Sequence, residues 1–332
     1  MKLINLKPLA SALLAVATIL GSAGVIAQDL KLAWLTADSK TDPYAITAHA
    51  FKDALETRLP NGITVSLFPN RQLGDDKEIL EGLKFGTIDL GIITNAVVAN
   101  VEPTYQLMDL PFLFGSSKQA HRFLDGDIGT QLKSNLLDDG IYSLGIAEGG
   151  FRNMINSVRP VYSPSDVEGV KYRTMQSPVF IEMFNSLGGS PVPMAWGETF
   201  TAMQQGTIDG LEIPSAVVKS NNYADVAKYL SQTRHTYSAI HLLMSKKKYD
   251  KLPTDVKKAI NEAGIEAVTK QREAVAILEK NVLSDLQEAG MKVNEINDPA
   301  EFRALVAPVY KKFEASIGSE LLNSALKQVS SN

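Results

Sequence analysis

The sequence predicts an α/β protein with a mainly parallel sheet, divided between two lobes and backed by one long helix. Three observations carry this reading. A strand, a polar cap and a helix recur in that order through the first hundred residues, which is the grammar of βαβ units. The run Leu83-Lys84-Phe85-Gly86-Thr87-Ile88-Asp89 returns as Met203-Gln204-Gln205-Gly206-Thr207-Ile208-Asp209, so two lobes use one helix–glycine–strand device. From Thr254 to about Ala289 the helical spacing of apolar residues persists unbroken. At about 1.5 Å per residue that stretch reaches roughly 54 Å, longer than a small lobe is wide.

Residues 1–27 read as a signal peptide. Lys2 and Lys7 form a positive start, Leu9 to Leu20 a mostly apolar run, and Val25-Ile26-Ala27 a cleavage site before Gln28. The apolar run is short for a membrane span, and no later stretch approaches the length required. An exported, periplasmic protein is expected. With no cysteine in the sequence, a lipid anchor on cysteine, disulfides, thiolate catalysis and cysteine metal sites are all excluded.

After the leader, Asp29 to Leu35 alternates as an opening strand, and Tyr44 to Leu59 follows with helical spacing. Asn61-Gly62 marks a turn, and Ile63 to Phe68 reads as a clear strand. Gly74 and Asp75 open a helix that Gly86 stops. Ile88 to Ile93 is another strand, and Thr94-Asn95 caps the next short helix. In the second lobe the strand after Gly206 meets Pro214-Ser215, a further helix start. Thr94, Asn95, Arg173 and Glu212 therefore all fall at predicted strand ends, where ligands bind in open α/β sheets. Gly264 marks a place where the long helix can bend.

The stretch from Phe151 to Pro178 is the most informative. It holds two short strands on adjacent positions of the sheet, one carrying Arg152 and the other Arg173. Strand alternation puts Lys171, Arg173 and Met175 on one face and Tyr172 on the other. Ser177-Pro178 then opens a helix whose free N–H groups attract anions. An arginine fork matches a carboxylate or phosphate, so this region reads as an anion trap.

Composition limits the alternatives. At 45% hydrophobic, the 332 residues hold enough core for one large or two ordinary domains. Removing Lys2 and Lys7 leaves 31 basic side chains against 37 acidic ones, a net charge of −6. No basic stripe of a nucleic-acid binder is present, and the two arginines are local exceptions in an acidic molecule. No Gly-x-Ser-x-Gly, His-Glu-x-x-His, phosphate loop or dinucleotide fingerprint occurs. His235 and His241 lie six apart on a strand with no third ligand evident, so neither a metal nor a cofactor is expected. Glu148, before Gly149-Gly150, is a candidate acceptor for ligand hydroxyls, and Asn95 is a helix cap first and a contact second. Asp75-Asp76 is a candidate carboxylate pair at a helix start.

Several motifs in order resemble one family. They are Gln72-Leu73-Gly74-Asp75-Asp76, Gly86-Thr87-Ile88-Asp89, the Arg152 segment ending in Arg159-Pro160-Val161, and Gly169-Val170-Lys171-Tyr172-Arg173. Pro191-Val192-Pro193-Met194-Ala195-Trp196 and Gly206-Thr207-Ile208-Asp209-Gly210 complete the set. The sequence is similar to the periplasmic solute receptors of tripartite ATP-independent periplasmic (TRAP) transporters over essentially all of the mature chain. That resemblance implies two α/β lobes of the periplasmic binding protein fold, hinged by strands and closing over an organic acid. Lobe I is expected at 28–149 plus 236–283, and lobe II at 150–235 plus 284–332. Arg173 falls on the family's principal carboxylate-binding arginine and Arg152 on its assistant. Asp75 and Thr94 align with first-lobe ligand contacts, and Trp196 with a cleft-lining aromatic. After Glu212 many relatives carry asparagine, whereas this chain carries Ile213, which removes one amide from the site. The resemblance implies a receptor, not an enzyme, that hands its ligand to TRAP membrane subunits, and a monomer is the default expectation. Sugar acids such as uronates or aldonates rank first as ligands, and C4-dicarboxylates or 2-oxo acids second. The rivals are a sensory receptor and a periplasmic enzyme acting on a small acid in the same cleft.

Overall fold

The computed structural model describes residues 28–60 and 62–330. The expected signal peptide, and Asn61 of the expected turn, lie outside the described residues. The described residues form nine strands: β1 Gln28–Trp34, β2 Ile63–Phe68, β3 Leu90–Thr94, β4 Ile141–Asn156, β5 Lys171–Thr174, β6 Ser190–Pro193, β7 Gly210–Pro214, β8 Tyr229–Ser245 and β9 Lys292–Glu295. Their order in the sheet is β2-β1-β3-β8-β4-β7-β5-β6, with β9 pairing β8.

The first lobe is organised on the parallel trio β1, β2 and β3, and the second on the parallel trio β5, β6 and β7. Between them β4 and β8 run antiparallel along their lengths and belong to both lobes. At one end β8 takes β3 as its other neighbour, and at the other end β4 takes β7. Parallel pairing therefore dominates within each lobe, and two long antiparallel strands join them. Sequence alternation suggested only a short strand around Arg152, because the ladder is irregular between Ser143 and Met154. A bulge disturbs the period-2 pattern on which strand recognition rests.

One expectation about the arginines is corrected. Arg152 on β4 and Arg173 on β5 are not on neighbouring strands, since β7 lies between them and carries Glu212. The acid thus stands on the strand that separates the two cations.

The expected long helix is present in two pieces, Thr254–Leu278 and Val282–Glu288. Ile260, Ala263 and Ala267 of the first piece share a core with Trp34, Phe51 and Leu55. Val282 and Leu286 of the second piece bury in a different core, with Ile208, Leu211 and Tyr223. One straight axis does not direct both apolar stripes to their cores, so the break at 279–281 lets the pair serve both lobes. The terminal helices Pro299–Ile317 and Ser319–Ser330 strap across the molecule. Lys312 pairs with Glu182 in the second lobe, whereas Ser316 donates to Gln106 and the Val329 carbonyl accepts from Gln119 in the first.

Gly264 serves close approach. A Cβ there would meet the Leu144 carbonyl oxygen at 2.8 Å and the Leu144 Cβ at 3.0 Å, so the missing side chain lets the helix lie directly on β4. Replacing glycine by alanine inside a helix ordinarily gains about 1 kcal/mol. Here the backbone contact reverses the sign, and Gly264→Ala is expected to destabilise by about 1–3 kcal/mol. A fall in the urea midpoint with an unchanged m-value checks this.

Candidate functional site

A cavity of about 380 Å³ lies between the lobes, across the middle of β4 and β8. The first lobe contributes Thr36, Tyr44, Asp75, Asp76 and Thr94 to its wall, and the second contributes Arg173, Met175, Met194, Trp196 and Ile213. Arg152 and Ser238, from the two shared strands, also line it. Of the eight candidates read from sequence, Arg173, Arg152, Asp75, Thr94 and Trp196 line this cavity. Asn95, Glu148 and Glu212 do not.

Arg173 is 4% exposed. Its Nε and Nη2 both donate to the Met194 carbonyl, at 3.0 and 2.8 Å. Met194 follows β6, whose pairing with β5 brings its backbone to the guanidinium. This fixes one edge of the fork to main chain, and Nη1 takes no protein acceptor among the described residues. Burial lowers the Arg173 pKa to about 10, with Glu212 opposing the fall; the group remains cationic at neutral pH.

Arg152 is held quite differently. Its Nε and Nη2 form a fork on the Glu212 carboxylate, and Nη2 also donates to the Glu212 carbonyl at 2.5 Å. His235 places Nε2 3.3 Å from the same carboxylate, and its Nδ1 lies 2.7 Å from the Thr233 hydroxyl. Burial alone would raise Glu212, but Arg152 and His235 outweigh it and hold the carboxyl below its ordinary range. Burial lowers His235, which the Glu212 carboxylate opposes only in part. Glu212 is 0% exposed and fully engaged, so it anchors Arg152 behind the cavity. One nitrogen of Arg152 stays at the wall, where Nη1 lies 3.3 Å from the Ser238 hydroxyl.

Asn95 and Glu148 are likewise engaged elsewhere. Asn95 donates to the Tyr105 carbonyl and the Asp109 carboxyl, at 2.9 and 2.8 Å, while its oxygen lies 3.0 Å from His241. Burial raises Asp109 to about 7. Glu148 accepts from Ser117 at 2.5 Å and lies 2.8 Å from His121 Nε2. It closes a polar cluster behind the strands, away from the cavity lining. No group of histidines and acids able to hold a metal ion occurs among the described residues.

Asp76 is the residue that sequence weighed too lightly. It is the first residue of the helix Asp76–Phe85 and is 4% exposed at the cavity wall. Its Oδ2 accepts the Thr94 N–H at 3.2 Å, and Oδ1 is buried without a protein partner. Burial, resisted by that N–H, lifts its carboxyl well above the usual range. The side chain can therefore meet a hydroxyl as acceptor or donor. Two consecutive aspartates at a helix start look alike in sequence, and only the helix phase separates the buried one. Ile213 and Trp196 make the second-lobe wall largely apolar, so a ligand there meets a polar side and a flat apolar side.

Comparison with known proteins gives a consistent picture. The family model for DctP, described as bacterial extracellular solute-binding protein family 7, matches residues 36–316. The 2,3-diketo-L-gulonate-binding periplasmic protein YiaO of Escherichia coli K12 is 35% identical over 272 residues, 82% of this chain and 82% of that one. A TRAP periplasmic solute binding protein from Polaromonas sp. JS666, solved bound to D-erythronate, superposes with a TM-score of 0.87 at 35% identity, covering 90% of this chain and 98% of that chain. The sugar acid binding protein DctPAm from Advenella mimigardefordensis, solved with galactonate, gives 0.89 at 30% identity, covering 92% and 98%.

The Arg152–Glu212 pair makes a stability prediction. Glu212→Gln leaves a buried guanidinium without its counter-charge and is expected to cost about 3–5 kcal/mol. A group whose folded pKa is depressed contributes fully above its unfolded pKa, and that contribution fades as pH falls through the folded value. Urea unfolding should therefore show the largest gap between variant and wild type at neutral pH, closing below about pH 4.

Proposed function

The chain belongs to bacterial extracellular solute-binding protein family 7, and we propose that it binds a small organic acid and delivers it to TRAP membrane subunits. The observation that carries this reading is Arg173, a buried cation on the cavity wall whose only protein acceptor among the described residues is a carbonyl. A buried charge is costly unless paired and hydrogen-bonded. A ligand carboxylate supplies both, reaching Nη1 of Arg173 and Nη1 of Arg152. Asp76, Asp75 and Thr94 then face the remainder of the ligand, and Trp196 covers its apolar face.

Sugar acids, uronates or aldonates, rank first as ligands. The Asp76 Oδ1 and the hydroxyls of Thr36 and Thr94 suit a chain of hydroxyl groups. The relatives' ligands galactonate and D-erythronate pair one carboxylate with several hydroxyls. A cavity of about 380 Å³ falls within the roughly 300–1,000 Å³ of small-molecule sites. C4-dicarboxylates and 2-oxo acids rank second. The receptor performs no chemistry in this reading. Closure about β4 and β8, where the ranges 28–149 and 150–235 meet, buries the acid, and the ligand shifts the open–closed balance as far as it prefers the closed form. The mature receptor is monomeric and exported after loss of residues 1–27.

A thermal-shift screen over sugar acids, C4-dicarboxylates and 2-oxo acids identifies the ligand, because a tight binder raises the melting temperature. Calorimetry on Arg173→Ala should then show affinity weakened by about 2–5 kcal/mol, the cost of one unpaired buried charge. Near wild-type affinity would remove Arg173 from the site. Asp76→Ala is expected to weaken a hydroxylated acid by about 1–3 kcal/mol and an acid of equal length without hydroxyls far less.

A further inference from the structure

The helix Trp196–Gln204 begins without a cap of its own. Its N-cap residue is Ala195, which has no side-chain oxygen to accept the first free N–H groups. The acceptor comes from the other lobe. Asp75 Oδ2 accepts the N–H of Gly197, the second residue of that helix, at 3.0 Å. Asp75 is itself the N-cap residue of the helix Asp76–Phe85, and its own N–H is taken by Glu78 Oε2 at 3.0 Å. The two helix starts thus face each other across the mouth of the cavity, joined by one carboxylate.

A second observation at the same seam is independent of that hydrogen bond. Asn70 and Arg71 are consecutive left-handed residues, at φ 52° and 60°, and neither is glycine. Such backbone is unfavourable for L-residues. Hydrogen bonds from their N–H groups to the Thr36 and Trp34 carbonyls, at 3.0 and 3.2 Å, hold it. The turn directs the Arg71 guanidinium over Gly197, so closely that a Cβ there would lie 1.6 Å from Nη1. Strained backbone in one lobe and a bare glycine in the other meet at a single point, and Trp196 stands beside it.

We infer that Asp75 is a positioning residue that latches the lobes by capping the Trp196–Gln204 helix in trans, and so seats Trp196 over the bound acid. The inference rests on the receptor reading for its purpose, although the latch can be measured without any ligand. In the open form the helix start loses its cap to water, so the closed form gains the value of one N-cap. Removing that cap lowers the closed-to-open ratio about five-fold.

The chain's lack of cysteine permits a clean test. Nitroxides on cysteines introduced at exposed Glu81 and Gln204 report the spacing of the lobes, measured by pulsed dipolar spectroscopy with and without D-galactonate. Asp75→Ser keeps a good cap for its own helix but is too short to reach Gly197. Asp75→Asn keeps an acceptor of the right length. The ratio of short-distance to long-distance populations should fall about five-fold in Asp75→Ser and remain near wild type in Asp75→Asn. Where D-galactonate binds, its dissociation should quicken in Asp75→Ser with little change in association. Indistinguishable distance distributions in all three proteins, an Asp75→Asn that behaves like Asp75→Ser, or a wild type with no short-distance population overturns the latch. Failure of the wild type to bind any acid in the panel overturns the receptor reading instead, while the ligand-free distances still decide the latch.

Discussion

A guanidinium removed from water must find compensation, and this protein meets that demand in two opposite ways within one sheet. Arg152 receives a carboxylate from the neighbouring strand, reinforced by His235 and backed by Thr233. Arg173, two strands away from Arg152, receives only a carbonyl among the described residues. The surroundings follow from this difference. β7 must lie between the arginines so that Glu212 neutralises one of them, and the cavity must open where the other is left incomplete. In a chain with excess acid, withholding a carboxylate from Arg173 is itself a structural specification.

In the proposed reading the anchored arginine and the incomplete one divide the labour of recognition. Arg152 is oriented before any ligand arrives, so little side-chain freedom remains to be lost on binding. Arg173 has one edge fixed by Met194 and presents the other. The helix start at Asp75 and Asp76 lines the same cavity as both cations, giving the space a guanidinium side and a carboxyl side. Trp196 and Ile213 then supply a dry wall that strengthens the electrostatic contacts.

Much of this was legible in the residues, and the remainder was hidden for identifiable reasons. Parallel units announced themselves because each strand ran into a cap and a helix of helical spacing. Arg173 was legible because Ser177-Pro178 marks the turn beyond its strand. The full length of β4 was not, because its ladder with β8 slips between Ser143 and Met154 and defeats simple alternation. Glu212 looked like a ligand contact because it lies at a strand end. Its partner Arg152 is sixty residues earlier, and no local pattern reveals such a pairing. The break after Leu278 was invisible for a related reason, since apolar spacing continues through it while the core it serves changes.

The irregular middle of β4 and β8 bears on the energetics of opening. Residues 232–235 loop out of register, with Arg234 in left-handed backbone at φ 45° and its N–H given to the Asn153 side chain. Gly150, at φ 101°, lies in the facing strand. A regular ladder resists sharp flexure because bending it severs backbone bonds in sequence. Here the ladder is already interrupted and one backbone N–H is given to a side chain, so the two ribbons can fold like a sheet of card along a pre-made crease.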